Sequence, residues 1–179
     1  MTFSKRVDHF SYRVDGTETE IHNAGARQSH WNIHKLVDLY DNVDTILFVA
    51  SLADYDQRSD NGRNKLKETL KLFRSVCHRA AFIGMPVILF LSQKDRFEEK
   101  IWDSDIADHF VDYRGPAQDY DSGLRFFHRK FQRHLRHQRE AYIHVTHAGH
   151  RSNMEFLTNS TREIVMYDNL LRAGFLGVD

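Results

Sequence analysis

The chain has 179 residues, enough for one domain with a sizeable core. Lysine plus arginine and aspartate plus glutamate balance at 25 each, so net charge points to neither a nucleic acid nor an acidic substrate. Cys77 is the single cysteine, which excludes a disulfide framework, and MTFSKRVDHF has neither a signal-peptide core nor a glycine at position 2 for myristoylation. The longest apolar run, Thr45–Ala53, is too short to span a bilayer, so the expectation is a soluble intracellular protein.

His9–Val14 alternates and is rich in aromatic and β-branched residues, which predicts a strand. Asp15-Gly16 is a hairpin-type turn signal, and Thr17–His22 returns as a second strand. Asn23-Ala24-Gly25-Ala26 is a loop of small residues where backbone can approach a ligand closely. Gln28–Tyr40 has an irregular helical spacing of apolar residues, and Thr45–Leu52 reads as a buried strand. Leu66, Leu70, Phe73 and Cys77 recur at steps of four, three and four, predicting a helix over Asn64–Cys77 with one buried stripe. Gly84-Met85-Pro86 leads into Val87–Leu91, a continuous apolar run that reads as a strand buried on both faces. Helix and loop are expected over Phe97–Phe110, with a turn at Arg114-Gly115-Pro116.

A helix over Leu124–Arg139 would turn Leu124, Phe127, Phe131 and Leu135 inward and Arg125, Arg129, Lys130, Arg133, Arg136 and Arg139 outward. Tyr142–Val145 is a short strand ending at Thr146-His147-Ala148-Gly149, and Asn153–Arg172 is the last helix. Strands alternating with helices predict an α/β domain with a mainly parallel sheet and one antiparallel edge from the opening hairpin. His144, His147 and His150 recur every third residue across a strand end, a spacing that does not by itself converge on a metal. The basic helix face reads as solvated.

The strand Val87–Leu91 ends in Ser92-Gln93-Lys94-Asp95. Ligands of open α/β sheets sit where parallel strands end in loops, so Asp95 stands where a ligand-reading carboxylate would stand. The simpler alternative is an aspartate capping the next helix.

Several blocks in order resemble one family. They are VDTILFVASLADYD (Val43–Asp56), NKLKETLKLFRSVC (Asn64–Cys77), VILFLSQKDRFEEKI (Val87–Ile101), IHVTHA (Ile143–Ala148) and the last helix through Asn169-Leu170. They resemble the α subunits of heterotrimeric G proteins, from about Thr2 to Leu176. The resemblance implies a Ras-like P-loop NTPase-type fold, GTP or GDP with magnesium as cofactors, and a βγ dimer, a G-protein-coupled receptor and an effector as partners. It implies a cytoplasmic protein or one peripheral at the inner face of the plasma membrane, with no nucleic-acid partner and no transmembrane segment. The expected organisation is one partial domain over 1–179, lacking the phosphate-loop unit and the helical insertion.

By this resemblance the nucleotide-binding positions are Asn23, Ala24, Gly25, Ala26, Ser92, Gln93, Lys94, Asp95, Thr146 and Ala148. Several depart from the family pattern. No GxxxxGK[ST] occurs in the sequence. Asp-Val-Gly-Gly-Gln becomes His22-Asn23-Ala24-Gly25-Ala26, so Ala26 stands where a glutamine orients the attacking water. Asn-Lys-x-Asp becomes Ser92-Gln93-Lys94-Asp95, with Asp95 still able to accept two hydrogen bonds from guanine's ring N–H and amino group. Thr-Cys-Ala-Thr becomes Thr146-His147-Ala148-Gly149, where Ala148 would offer its backbone N–H to the guanine carbonyl. Thr2 aligns with the magnesium-ligating threonine. Leu170, Leu171, Phe175 and Leu176 align with the receptor-contacting C-terminus.

Two readings follow. One is a guanine-nucleotide-binding signal transducer without effective GTP hydrolysis. The other is a nucleotide-free interaction module acting as a decoy for βγ or effector. The absent first strand further predicts an empty position between Thr45–Leu52 and Val87–Leu91, and with it a marginal or self-associating protein.

Overall fold

The computed structural model describes the backbone of residues 8–14 and 17–23, together with residues 43–135, 141–146, 162–164 and 166. The chain divides into two compact units, Met1–Asn42 and Val43–Asp179. Outside the described residues lie Thr2, the Asp15-Gly16 turn, Ala24, Gly25, Ala26, the Gln28–Tyr40 helix, His147, Ala148, His150, most of the last helix, and Leu170, Leu171, Phe175 and Leu176.

The first unit holds the expected hairpin. β1 (Asp8–Val14) pairs antiparallel with β2 (Thr17–Asn23), from Val14 opposite Thr17 to Asp8 opposite Asn23. Both strands run one residue longer than the alternation predicts.

In the second unit, β3 (Ile46–Ser51), β4 (Val87–Ser92) and β5 (Ala141–Val145) form a three-stranded parallel sheet in the order β3-β4-β5. β4 is central, and Val87 through Leu91 are all buried, as its unbroken apolar run predicts. The expected empty position beside β4 does not exist. Ile46–Ser51 pairs residue for residue with Val87–Ser92, so β4 is paired on both sides. Among the described residues, it is the other side of β3 that has no strand partner.

One face of this sheet carries the main core. β3 and β4 are joined through α1 (Lys65–Cys77), which starts where the Asn64 side chain accepts from the Lys67 N–H at 2.9 Å. Its stripe of Leu66, Leu70, Phe73 and Cys77 is buried, as its spacing predicts. After β4 come α2 (Lys94–Lys100) and the single-turn α3 (Ile106–His109), which divide the stretch read as helix and loop.

α4 (Tyr120–Gln132) begins one turn earlier than the expected Leu124, because Asp119 accepts from the Ser122 N–H at 2.8 Å and caps it there. Phe126, Phe127 and Phe131 are buried, while Leu124 is half-buried. Gly123 sits inside this contact. A Cβ there would lie 2.6 Å from Ile106 Cδ1 and 2.9 Å from Phe97 Cζ, so the close approach of α4 requires glycine. Aromatic edges lock the layer: Phe73 meets Phe131 at 5.3 Å, and Phe127 meets Phe110 at 5.1 Å and Phe97 at 5.7 Å.

Ile88 and Phe90 pack with Ile164 and the half-buried Tyr142. Leu47 and Val49 on β3 remain 43% and 57% exposed. The reading of Thr45–Leu52 as fully buried is thus correct for one face only.

Candidate functional site

The C-terminal ends of the three parallel strands converge on the Ser92–Asp95 loop. The Ser92 hydroxyl donates to the Ala50 carbonyl at 3.3 Å. The Thr146 N–H donates to the Leu91 carbonyl at 2.8 Å, and the Lys94 N–H donates to the Thr146 carbonyl at 3.2 Å. These two bonds extend the β4–β5 ladder past both strands and hold the Lys94 backbone against Thr146, which is buried. The structure thus brings Ser92–Asp95 and Thr146 side by side at the strand ends.

Gln93 turns the chain from strand to helix in a left-handed conformation, φ 59° and ψ 40°. A residue with a Cβ in that region costs roughly 1–2 kcal/mol, so its surroundings must hold it. The Ser51 hydroxyl does so by donating to the Gln93 side-chain carbonyl at 2.8 Å. Gln93 is also the N-cap of α2, with no side-chain capping bond. Asp95 therefore does not cap the helix. It lies half-buried in the first turn, where a negative charge complements the helix dipole.

Behind the loop is a buried brace. Tyr55, fully buried, donates its hydroxyl to the Ser104 carbonyl at 2.6 Å and lies edge-on to Phe97 at 5.4 Å. Burial pushes its pKa up to about 12, so the phenol stays protonated and keeps donating. The Lys100 ammonium donates to the Ala53 carbonyl at 2.8 Å and pairs with Asp56. Desolvation works against the Asp56 carboxylate, yet the hydrogen bonds from Lys100 and Gln57 hold its pKa below the ordinary value. These contacts tie the segment leaving β3 to the end of α2, which fixes the helix that carries Asp95.

Ser51, Tyr55 and Lys100 carry no site signal in the sequence. Each acts across more than 40 residues, and local patterning does not report such pairs. Asn23 ends β2 in the first unit. On β5, His144 stacks on Phe90 at 5.4 Å, and burial pushes its pKa down.

The strand-end loop carries Asp95 in the first turn of α2, next to the backbone bond between Lys94 and Thr146. No three His, Cys, Asp or Glu side chains gather into a potential metal site among the described residues. No described helix is long and apolar enough to cross a membrane.

Comparison with known proteins supplies the family. The pattern of the family described as G-protein alpha subunit matches residues 2–165. The guanine nucleotide-binding protein alpha-7 subunit of Caenorhabditis elegans is 34% identical over 166 residues, covering 91% of this chain and 46% of its own length. The guanine nucleotide-binding protein G(o) subunit alpha of Locusta migratoria is 30% identical over 169 residues, 93% of this chain and 46% of its own. A guanine nucleotide-binding protein subunit alpha of Candida albicans is 27% identical over 172 residues, 95% of this chain and 40% of its own. The chain thus spans about half the length of the curated relatives it matches. With a parallel sheet, its helices and a match of this extent, the chain belongs to the G-protein alpha subunit family and has that family's α/β Ras-like fold.

Proposed function

We propose that this chain is a guanine-nucleotide-binding signal transducer of G-protein α type that recognises the base and does not hydrolyse GTP. This reading is supported by the pair of backbone bonds that lock Lys94 and Leu91 to Thr146 and so order the strand-end loop next to Asp95. Asp95 accepts from the guanine ring N–H and amino group, and Ala148 donates its backbone N–H to the guanine carbonyl. By the family resemblance, Asn23, Ala24 and Gly25 hold the positions assigned to the phosphate side. Ala26 has no polar atom to orient water, which supports the absence of hydrolysis. Magnesium would meet Thr2. One partial Ras-like domain over 1–179 would act on a βγ dimer, a receptor or an effector, with Leu170, Leu171, Phe175 and Leu176 as the receptor contacts.

Base contacts alone amount to a few charge-assisted hydrogen bonds, so the affinity is weaker than micromolar. Calorimetric titration of GDP with magnesium tests this, alongside single-turnover release of phosphate from GTP. Weak binding without phosphate release supports the proposal, and a nanomolar constant or measurable turnover overturns it.

A second reading, a nucleotide-free module that captures βγ or effector, is favoured by one observation. Gln93, where the family's lysine lies along the base, has its side chain bound to Ser51 on β3. Failure of GDP to bind at any concentration, with βγ still captured, would select this reading.

A further inference from the structure

We infer that the cleft between α4 and the loop before it is a binding site for phosphate-bearing anions, separate from the strand-end site. The cleft has a volume of about 230 Å3, and its walls include Arg114, Arg125, Arg129, Ser122, Tyr113 and Asp112. Three guanidiniums therefore face one carboxylate. That carboxylate is already engaged, because the Lys130 ammonium pairs with Asp112. Desolvation works against the Asp112 carboxylate, but the hydrogen bond and charge of Lys130 still hold its pKa below the ordinary value. The chain as a whole carries no net charge, so the excess in this cleft is local and not a consequence of a basic protein.

The guanidiniums are placed but not neutralised. Arg114 donates from Nη1 to the Val111 and Tyr113 carbonyls at 2.6 and 2.8 Å, which fixes its fork at the cleft's edge. Arg125 donates from Nη2 to the Ser122 hydroxyl at 2.9 Å, leaving the hydroxyl proton available to a ligand. The ion pairs among the described residues include none with Arg114, Arg125 or Arg129, and Asp121, one turn before Arg125, makes none either. Arg125 and Arg129 are four residues apart on one face of α4, a like-charge spacing that disfavours a helix unless something compensates it. Rigid guanidinium forks match phosphate oxygens bidentately, which makes a phosphate monoester or polyphosphate the ligand class.

Arg133 supplies the control. It continues the same stripe one turn further along but does not line the cleft. The test titrates the full chain with inositol hexakisphosphate at fixed ionic strength and sediments it with phosphatidylcholine vesicles containing or lacking a phosphoinositide. Arg125→Gln and Arg129→Gln each weaken binding by roughly tenfold or more, the loss expected for a charge-assisted bond, while Arg133→Gln changes it by less than about twofold. All three positions are exposed, and unchanged thermal transitions will show that the variants fold. Binding of the soluble probe alone supports a free phosphorylated ligand, and binding to phosphoinositide vesicles as well supports a lipid headgroup. Absence of binding to both, or an equal loss in Arg133→Gln, overturns the site, since diffuse charge would then account for the effect.

Discussion

The two faces of the parallel sheet differ in how they are covered. On one, Phe73, Phe97, Phe110, Phe127 and Phe131 interlock with Tyr55 under α1 and α4, each of these six rings 2% exposed or less. On the other, Ile88 and Phe90 are buried with Ile164, but Leu47 and Val49 are largely open. The strand-end loop is braced from the first face through Tyr55 and Lys100. Among the described residues, stability and site geometry therefore draw on the same aromatic layer.

Substitutions on the two faces break this comparison most directly. Phe127→Ala removes a ring that touches Phe97, Phe110 and Phe126, and is expected to cost about 3–5 kcal/mol in chemical denaturation. Val49→Ala on the open face should stay within about 0.5 kcal/mol. Equal losses would show that the second face is covered in solution.

The brace should respond next. Lys100→Met leaves the Ala53 carbonyl and the Asp56 carboxylate without their ammonium, an expected loss of about 1–3 kcal/mol. Amide exchange along Lys94–Lys100 would rise with it if the brace fixes α2, and would stay at the wild-type rate if it does not. Gly123→Ala forces a methyl against Ile106 and Phe97, costing about 1–3 kcal/mol despite alanine's better helix propensity. A more stable variant by thermal unfolding would show that α4 can draw back.

The smallest effect is on pH dependence. The pKa of His134 is pushed below its ordinary 6.5 by burial and then by Arg133, His78, Arg74 and Lys130, and that of His144 by burial. The unfolded chain then binds more protons than the folded one between the folded values and 6.5. The contribution of these rings is complete above 6.5 and falls as pH drops below it. Asp56 and Asp112, held below 3.8, keep their contributions until the solution is more acidic. Urea midpoints should fall between about pH 7 and 5.5, and His144→Phe should flatten part of that slope.

What the sequence discloses follows the same division. Val87–Leu91 is legible because a strand buried on both faces needs no polar residue, and the stripe of α1 because its period is regular. Thr45–Leu52 is nearly as apolar as β4, yet only one of its faces is buried, since composition does not say which faces neighbours cover. α4 starts at Tyr120, four residues before the apolar pattern suggested, because Asp119 caps it there. At the site, the Asp95 position is legible from the strand end and the family resemblance. The left-handed turn at Gln93 and its bond to Ser51 are not, because they depend on a strand 42 residues away.

Base recognition without help from the phosphates is the proposal with the widest consequence for this chain. Guanosine and GDP titrated against the full chain, with ligand-observed NMR as the readout, test it most directly. If the recognising bonds go to the base, the two dissociation constants lie within about threefold of each other and both are lost in Asp95→Ala. GDP binding a hundredfold or more tighter than guanosine, about 2.7 kcal/mol from the phosphates, would contradict it.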